Sequence, residues 1–201
     1  MPGSQPGCFF ALEGPDGAGK STQAKRLVTW LRSIRANVVC CFDPGGTQLG
    51  TQLRSILMDR SSIAISMRAE MLLYMASRAQ MVEEIIRPAL DRGDIVVSDR
   101  FLLSNVVYQG YAGGLDPDDI WTVGRSSTGG LMPDLTLVLD VSPEVASRRL
   151  GAPRDRIEDR PESYRIRVRD GVSCGVGDSS FALRVDRRLE RAGHRGGPDS
   201  E

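Results

Sequence analysis

The sequence contains a single histidine, His194, which lies in a polar stretch near the end of the chain. Serine and cysteine hydrolases use an imidazole as a general base, and HExxH proteases use two imidazoles as zinc ligands. One histidine in such a position serves neither purpose. The sequence therefore argues against these reaction classes.

Cysteines are few and form no framework, because the four of them show neither a CxxC pair nor an even spacing. Cys40 and Cys41 are adjacent inside an apolar run, and Cys8 stands beside Phe9 and Phe10. Such surroundings favour reduced, buried thiols over disulfides or metal ligands.

Net charge and long apolar runs are absent as well. The 26 basic and 26 acidic residues cancel, which argues against a protein that coats nucleic acid or an anionic membrane. The longest apolar stretches, such as 135–141, are far below the roughly 18 residues of a membrane helix, and the N-terminus has no signal-peptide pattern. We therefore expect a cytoplasmic protein that binds neither nucleic acid nor membrane, with one domain over residues 1–201.

Short apolar runs alternate with segments of helical periodicity. The apolar runs predict strands at 9–12, 38–42, 95–97 and 135–141. Amphipathic spacing and N-terminal capping patterns predict helices that start at Lys20, at Pro117 and near Pro143, and helices over about 48–58 and 68–91, the last with a possible kink at Pro88. This alternation indicates an α/β fold in which helices cover both faces of a parallel sheet.

Few apolar residues follow Gly171. Residues 181–185 are a candidate for one more strand, and the stretch after Arg187 has too few apolar residues for a stable helix. We therefore expect the tail, about 172–201, to add little to the core and to be partly disordered.

A glycine-rich loop separates the first strand from the first helix. Gly14-x-x-x-x-Gly19-Lys20-Ser21 matches the Walker A motif letter for letter, in the strand-to-helix context that the motif requires. In such a loop the backbone N–H groups converge on phosphate oxygens, the lysine bridges the outer phosphates and the serine hydroxyl binds Mg²⁺. The predicted ATP-binding residues are Gly14, Pro15, Asp16, Gly17, Ala18, Gly19, Lys20, Ser21 and Thr22.

The strand at 95–97 leads into Ser98, Asp99 and Arg100. Ligands of open α/β sheets bind beyond the carboxyl ends of the strands. We therefore predict that Asp99, together with Ser21, holds Mg²⁺, and that Arg100 binds phosphate.

In combination these motifs resemble the thymidylate kinase family, P-loop enzymes that convert dTMP to dTDP with ATP and Mg²⁺. The Walker A motif alone specifies only a nucleoside triphosphate site. The resemblance becomes specific through segments that stand in the family's order between about residues 8 and 170, namely Glu13–Thr22, Asp43–Leu49, Ala76–Gln80, Asp99–Asn105, Tyr108–Gly110, Pro133–Asp140 and Asp155–Glu158. It implies a three-layer P-loop NTPase fold with a small lid at about 149–158. It also implies a homodimer through helices that include part of 68–91.

The resemblance further implies a role for each matching residue near the acceptor nucleotide. Asp16 matches the carboxylate that contacts the sugar 3′-hydroxyl, Tyr74 the aromatic that stacks on thymine, and Arg78 the arginine that hydrogen-bonds thymine. Tyr108 matches the tyrosine that disfavours a 2′-hydroxyl, and two further residues match contacts to the base edge. The implied substrate-binding residues are Asp16, Asp43, Tyr74, Arg78, Arg100, Ser104, Asn105 and Tyr108.

The phosphate loop contains no arginine, so the charge of the transferred phosphoryl group has to be neutralised from elsewhere. Arginines between 148 and 156 coincide with the family's lid and are the candidates. The predicted catalytic residues are Lys20, Arg100, Asp16, Arg149, Arg154 and Arg156. The chain departs from the family in having Phe42-Asp43 where an Arg-Glu pair is usual.

Two alternatives stay open at the level of the sequence. One is a kinase for another acceptor, such as UMP, dUMP, dCMP or a deoxynucleoside. The other is a P-loop module that binds ATP without turnover, an alternative motivated by the Phe42-Asp43 departure and the weakly patterned tail.

Overall fold

The computed structural model describes residues 6–59, 63–150, 155–157, 159–177 and 182–186. Within these residues five strands form one parallel sheet in the order β2-β3-β1-β4-β5. The strands are β1 Cys8–Glu13, β2 Val38–Phe42, β3 Ile95–Asp99, β4 Leu135–Leu139 and β5 Ala182–Asp186. The predicted α/β class is confirmed, whereas the single-domain organisation over 1–201 stays a prediction.

The helices follow the strands in the alternation that the sequence predicts. They are α1 Lys20–Ser33, α2 Gln48–Met58, α3 Met67–Met81, α4 Arg87–Asp91, α5 Leu102–Asn105, α6 Pro117–Ser127, α7 Pro143–Leu150 and α8 Glu162–Gly177. At the start of α6 the Asp116 side chain accepts a hydrogen bond from the Asp118 N–H at 2.9 Å, as the capping pattern predicts.

The predicted long helix over 68–91 is continuous but changes its winding. Residues 82–86 form a π-helical turn between α3 and α4. Pro88 has no N–H to donate to the fourth residue before it, and its ring crowds that carbonyl. The wider π turn just before the proline lets the chain remain helical through the expected kink.

Both faces of the sheet are buried. Phe9 and Val96 belong to a large cluster that includes residues of α3, α6 and α8, whereas Leu12 and Val97 pack against α1 on the opposite face. Successive strand residues point to opposite faces, so a strand covered on both sides needs apolar residues without interruption. This requirement explains the unbroken apolar runs in the sequence.

Two helical segments were not predicted. The first, α5, continues as a π-helical segment over Val106–Tyr111, and its N-terminus is capped by a residue distant in sequence, described below. The second, α8, buries Tyr164, Val168 and Val172, which recur at a spacing of four. That spacing is a helical signal, and it could have been found from the sequence.

The chain after Gly171 contributes more than its composition suggests. Val172 belongs to the large core cluster, and β5 pairs along its length with β4, with Arg184 beside Leu137. Pairing between strands uses backbone groups and needs no apolar pattern. The candidate strand at 181–185 is thereby confirmed as β5. The expectation that the tail adds little to the core is wrong for 172–177, and residues 187–201 lie outside the described part.

All four cysteines are free, as expected, but only Cys41 is buried. Cys40 and Cys174 are exposed and Cys8 is half-buried, so the expectation of buried thiols is wrong for these three. Cys40 and Cys41 are consecutive on β2, and consecutive strand residues face opposite sides of a sheet. They could not both point into the same core.

Candidate active site

A cavity of about 580 Å³ lies at the carboxyl ends of β1, β2 and β3. This volume is in the range of pockets that hold small ligands. Most of the residues singled out from the sequence line it. Those lining residues are Asp16, Gly17, Gly19, Lys20, Ser21, Thr22, Asp43, Tyr74, Arg78, Asp99, Arg100, Ser104, Asn105 and Tyr108.

The phosphate loop connects the end of β1 to the start of α1. Gly14 has a positive φ of 134°, and a Cβ there would come within 2.2 Å of the Leu139 carbonyl oxygen, so the loop requires glycine at this point. The Lys20 Nζ donates a hydrogen bond to the Pro15 carbonyl at 2.8 Å. Burial and the nearby Arg100 guanidinium lower the pKa of Lys20 to about 8, although Asp16 opposes this shift.

Asp16 is the centre of a cluster on the inner wall of the cavity. The Arg100 guanidinium is ion-paired with its carboxylate, and the Tyr108 hydroxyl donates to its Oδ2 at 2.8 Å. Burial opposes ionisation of Asp16, yet Arg100 and Lys20 together lower its pKa to about 2. Asp16 is therefore an ionised hydrogen-bond acceptor at neutral pH.

Arg100 reaches this cluster from a strained backbone. Its φ is +74°, a left-handed conformation that side chains other than glycine rarely adopt. The conformation is held in place by a hydrogen bond from the Arg100 N–H to the Leu12 carbonyl at 2.9 Å. The guanidinium carbon lies 5.1 Å from the centre of the Tyr108 ring.

Tyr74 and Arg78 are one turn apart on α3 and both line the cavity. The Arg78 Nε donates to Asp43 Oδ2 at 2.6 Å, and both side chains are 1% exposed. The other carboxylate oxygen, Asp43 Oδ1, has no hydrogen-bond partner. The carboxylate that follows Phe42 is therefore in place to pair with this arginine, despite the Phe42-Asp43 departure.

The groups predicted to hold Mg²⁺ are adjacent, with the Ser21 hydroxyl donating to Asp99 Oδ2 at 2.5 Å. Among the described residues no three histidine, cysteine or acidic side chains cluster to hold a metal ion. One hydroxyl and one carboxylate are hard oxygen donors, and Mg²⁺ takes its remaining ligands from water and substrate phosphates. The residues present therefore fit Mg²⁺ bound together with a nucleotide.

The predicted lid arginines are separated in the structure. Arg149 donates to the Gly17 carbonyl of the phosphate loop at 3.2 Å. Arg156 instead contacts the buried Glu70 on α3, with Nη2 to Oε2 at 2.6 Å, and Arg154 lies outside the described residues. Of the two that are described, the structure brings only Arg149 to the loop.

Comparison with known proteins identifies the family. A family profile described as thymidylate kinase matches residues 12–176. This chain belongs to the thymidylate kinase family. A thymidylate kinase of Synechococcus sp. (strain CC9605) is 44% identical over 200 residues, which cover 92% of this chain and 96% of the relative. A thymidylate kinase of Rhodopirellula baltica is 47% identical over 164 residues, 82% of this chain and 66% of that longer relative.

A solved structure of a thymidylate kinase supports the same assignment. The crystal structure of thymidylate kinase from Ehrlichia chaffeensis superposes with a TM-score of 0.76 at 29% sequence identity, covering 90% of this chain and 93% of the other. The predicted P-loop NTPase fold is thereby confirmed. Among the described residues no helix has the length and apolar character needed to cross a membrane.

Two buried carboxylates of this thymidylate kinase family member were missed in the sequence analysis. Glu13 accepts hydrogen bonds from Phe101 N at 2.8 Å, from Ser104 N at 3.3 Å and from the Ser104 hydroxyl at 2.5 Å. It thereby caps α5 from a distance of about 90 residues, and burial raises the pKa of its carboxyl. A glutamate next to the Walker A glycine carries no local signal of this contact.

Glu70 is the second. It lies in the first turn of α3 and is fully buried. Its contacts are with Arg156, Arg160 and Gln109, all distant in the chain. Only the tertiary structure makes these contacts visible.

Proposed function

We propose that this chain catalyses the ATP-dependent phosphorylation of dTMP to dTDP, a step toward dTTP. The observation that carries the proposal is that one cavity joins a Walker A loop to the base-binding residues of the family on α3 and α5. The names of the relatives support the same reaction.

We propose that ATP binds along residues 14–22. Backbone N–H groups of the loop and the positive end of α1 would bind its phosphates, and Lys20 would neutralise charge that develops during transfer. Mg²⁺, held by Ser21 and Asp99, would supply further neutralisation of the phosphate oxygens when bound. The acceptor phosphate is already an anion, so the reaction requires no general base.

The acceptor nucleotide is assigned to the opposite half of the cavity. Asp16, ionised and half-buried, would accept a hydrogen bond from the sugar 3′-hydroxyl, while Arg100 would bind the acceptor phosphate. Tyr108, whose hydroxyl contacts Asp16 at 2.8 Å, would lie beneath the sugar. This arrangement would hold the acceptor oxygen in line with the donor phosphate, which is the main requirement of phosphoryl transfer.

The base is assigned to the residues around α3 and α5. Tyr74 would stack on thymine, and Arg78, held by Asp43, would donate to the ring carbonyl. Ser104 and Asn105 would contact the base edge. This assignment is supported by Asn105, which is 2% exposed and whose Oδ1 has no hydrogen-bond partner, because a buried acceptor without a donor is costly until a ligand supplies one.

The lid arginines would complete the charge neutralisation. Arg149, already at the loop carbonyl of Gly17, is the first candidate for the transferred phosphoryl group. Arg156 can reach the transferred phosphoryl group only if its contact with Glu70 breaks. For Arg154 the catalytic role stays a prediction. Closure of the lid would exclude water, which otherwise competes as the acceptor.

A coupled assay of ADP release tests the proposed function. ADP formation should depend on added dTMP, with lower efficiency for dUMP and still lower efficiency for dCMP. A uracil base lacks only one methyl group, whereas cytosine offers a donor where Arg78 requires an acceptor. Nucleotide binding without turnover on any monophosphate would instead favour the non-catalytic P-loop module.

We also propose a homodimer in the cytoplasm. The dimer is supported by the family resemblance and by exposed apolar side chains on two packed helices, Leu72 on α3 with Leu49 and Ile56 on α2. Light scattering after size-exclusion chromatography should give twice the mass of the 21.9 kDa chain. A mass of one chain would contradict the proposal.

A further inference from the structure

A chain of three buried side chains connects α3 to the proposed base edge. Glu70, Gln109 and Asn105 are 0%, 2% and 2% exposed. Gln109 donates from Nε2 to Glu70 Oε1 at 2.8 Å, and its own Oε1 accepts from Asn105 Nδ2 at 2.8 Å. We call these three residues the amide relay.

The polarity of the relay is fixed at its Glu70 end. Arg156 and Arg160 each place an Nη2 atom 2.6 Å from Glu70 Oε2, and the Arg160 Nη2 also donates to Oε1 at 2.9 Å. Guanidinium groups can only donate hydrogen bonds, and the Glu70 carboxylate that they contact accepts hydrogen bonds but donates none. Any partner of Glu70 in the relay therefore has to be a donor.

The orientation of each amide follows from this one constraint. Gln109 must turn its NH₂ group toward Glu70, so its oxygen faces Asn105. Asn105 must then turn its own NH₂ group toward Gln109, which leaves Oδ1 as the amide atom without a partner. Because the three side chains are at most 2% exposed, their contacts within the protein set the order of donors and acceptors.

We infer that Glu70 is a specificity-determining positioning residue, which acts through Gln109 to present the Asn105 carbonyl oxygen to the base. The inference rests on the proposed function and deepens it. A free carbonyl oxygen accepts from the ring N3–H of thymine or uracil, whereas the N3 of cytosine is itself an acceptor. The relay would therefore select against cytosine at a site that Glu70 never touches.

Replacing Glu70 with its isosteric amide, Glu70→Gln, should invert the relay. Arg156 and Arg160 can only donate, so the oxygen of the new amide takes the Oε2 position, where both arginines donate at 2.6 Å, and its NH₂ group faces Gln109. Gln109 and Asn105 then invert in turn, and Asn105 presents NH₂ to the base. We expect the ratio of kcat/KM for dTMP to that for dCMP to fall by about tenfold or more.

The double substitution Glu70→Gln with Gln109→Glu provides a rescue. The carboxylate at the middle position accepts from the new amide and from Asn105 Nδ2, which leaves Oδ1 free again. The ion pairs with Arg156 and Arg160 are not restored by this change. A dTMP-to-dCMP ratio within about threefold of the wild-type value would therefore reflect amide orientation and not the recovery of an ion pair.

Arg160→Gln is the matched control, because it weakens the ion pairs but leaves the order of donors in the relay intact. Its ratio should equal that of the wild type. Arg78, which also disfavours cytosine, is unchanged in all of these proteins, so changes in the ratio report on Asn105. A folded Glu70→Gln protein with a wild-type ratio, or an Arg160→Gln protein that shows the same fall, would overturn the inference.

Separate controls cover a variant that fails to fold and a wild type that shows no activity. If Glu70→Gln does not fold, Gln109→Met removes the middle of the relay while Glu70 keeps its arginines, and an unchanged ratio in that protein would overturn the inference. If the wild type forms no ADP with either nucleotide, the proposed function fails. Calorimetric Kd values for dTMP and dCMP on the same proteins then test the relay without turnover.

Discussion

At the scale of single residues, the site depends on carboxylates whose surroundings fix them as acceptors. Asp16 is kept ionised by Arg100 and Lys20, and Asp43 is paired with Arg78. Each carboxylate is ion-paired with an arginine that lines the cavity, Asp16 with Arg100 and Asp43 with Arg78. Single substitutions should therefore change either the affinity for the acceptor nucleotide or the rate of turnover, depending on which side chain is replaced.

Lys20→Ala should lower turnover by about 10²–10³-fold with a small change in the affinity for dTMP. Lys20 is buried against the phosphate loop, where its charge acts on developing negative charge rather than on the acceptor base. Steady-state ADP release and the Kd for dTMP check this. The control is Arg26→Ala, which removes an exposed basic residue of the same helix outside the cavity. Near-normal turnover in a folded Lys20→Ala protein would contradict the Walker A assignment.

Tyr108→Ala should raise the use of UMP relative to dTMP by about tenfold, because removing the ring makes room for a 2′-hydroxyl. Tyr108→Phe keeps the ring and loses only the hydroxyl contact to Asp16, so its discrimination should stay close to that of the wild type. The measurement is kcat/KM for both nucleotides on the three proteins. Equal ratios for the alanine and phenylalanine variants would contradict the placement of the sugar beside the Tyr108 ring.

At the scale of elements, the cavity depends on the N-terminus of a helix of four residues. Phe101, which precedes α5, offers no side-chain cap, and Glu13 of β1 supplies one across the sheet. The same carboxylate binds the Ser104 hydroxyl. The end of β1 and the start of α5 are thereby joined at the point where phosphate and base sites meet.

Glu13→Ala should lower the free energy of unfolding by about 1–3 kcal/mol, because it leaves the Phe101 and Ser104 N–H groups without their acceptor. It should also weaken dTMP binding, since Ser104 lines the cavity. Glu13→Gln retains an acceptor oxygen and should lose less than half as much stability. Urea unfolding of the three proteins measures this, and equal losses for both variants would show that charge, not the cap, is what matters.

At the scale of the whole molecule, stability depends on the sheet being complete. β5 extends the sheet beyond β4, and α8 packs its buried face on the large core cluster through Tyr164, Val168 and Val172. The C-terminal part of the chain therefore supplies an edge strand of the sheet and part of the core, although its composition gives little sign of the core contribution.

Truncation after Gly171 should destabilise the protein by about 3 kcal/mol or more, because it removes β5 and buried apolar surface such as that of Val172. Truncation after Asp186 keeps both and serves as the matched comparison. Thermal and urea unfolding of the two shortened proteins beside the full chain check the difference. Equal stability of the two would mean that β5 contributes nothing to the fold.

The sequence by itself determined the alternation of strands and helices, the parallel sheet and the phosphate loop. These features depend on local periodicity and on residues a few positions apart, such as Gly14, Gly19 and Lys20, so they are legible along the chain. The motif order was also enough to identify the family. Most of the predicted site residues accordingly line one cavity.

Only the tertiary structure decided which polar groups meet across the fold. Glu13 contacts Ser104, and Glu70 contacts Arg156 and Gln109. Arg156 therefore does not contact the phosphate loop, where the lid was expected to place it. A buried carboxylate is stable only with partners that satisfy it, but nothing in its neighbours along the chain says which distant elements will supply them. Contacts of this kind arise from packing, and the packing exists only once the sheet and its helices have assembled.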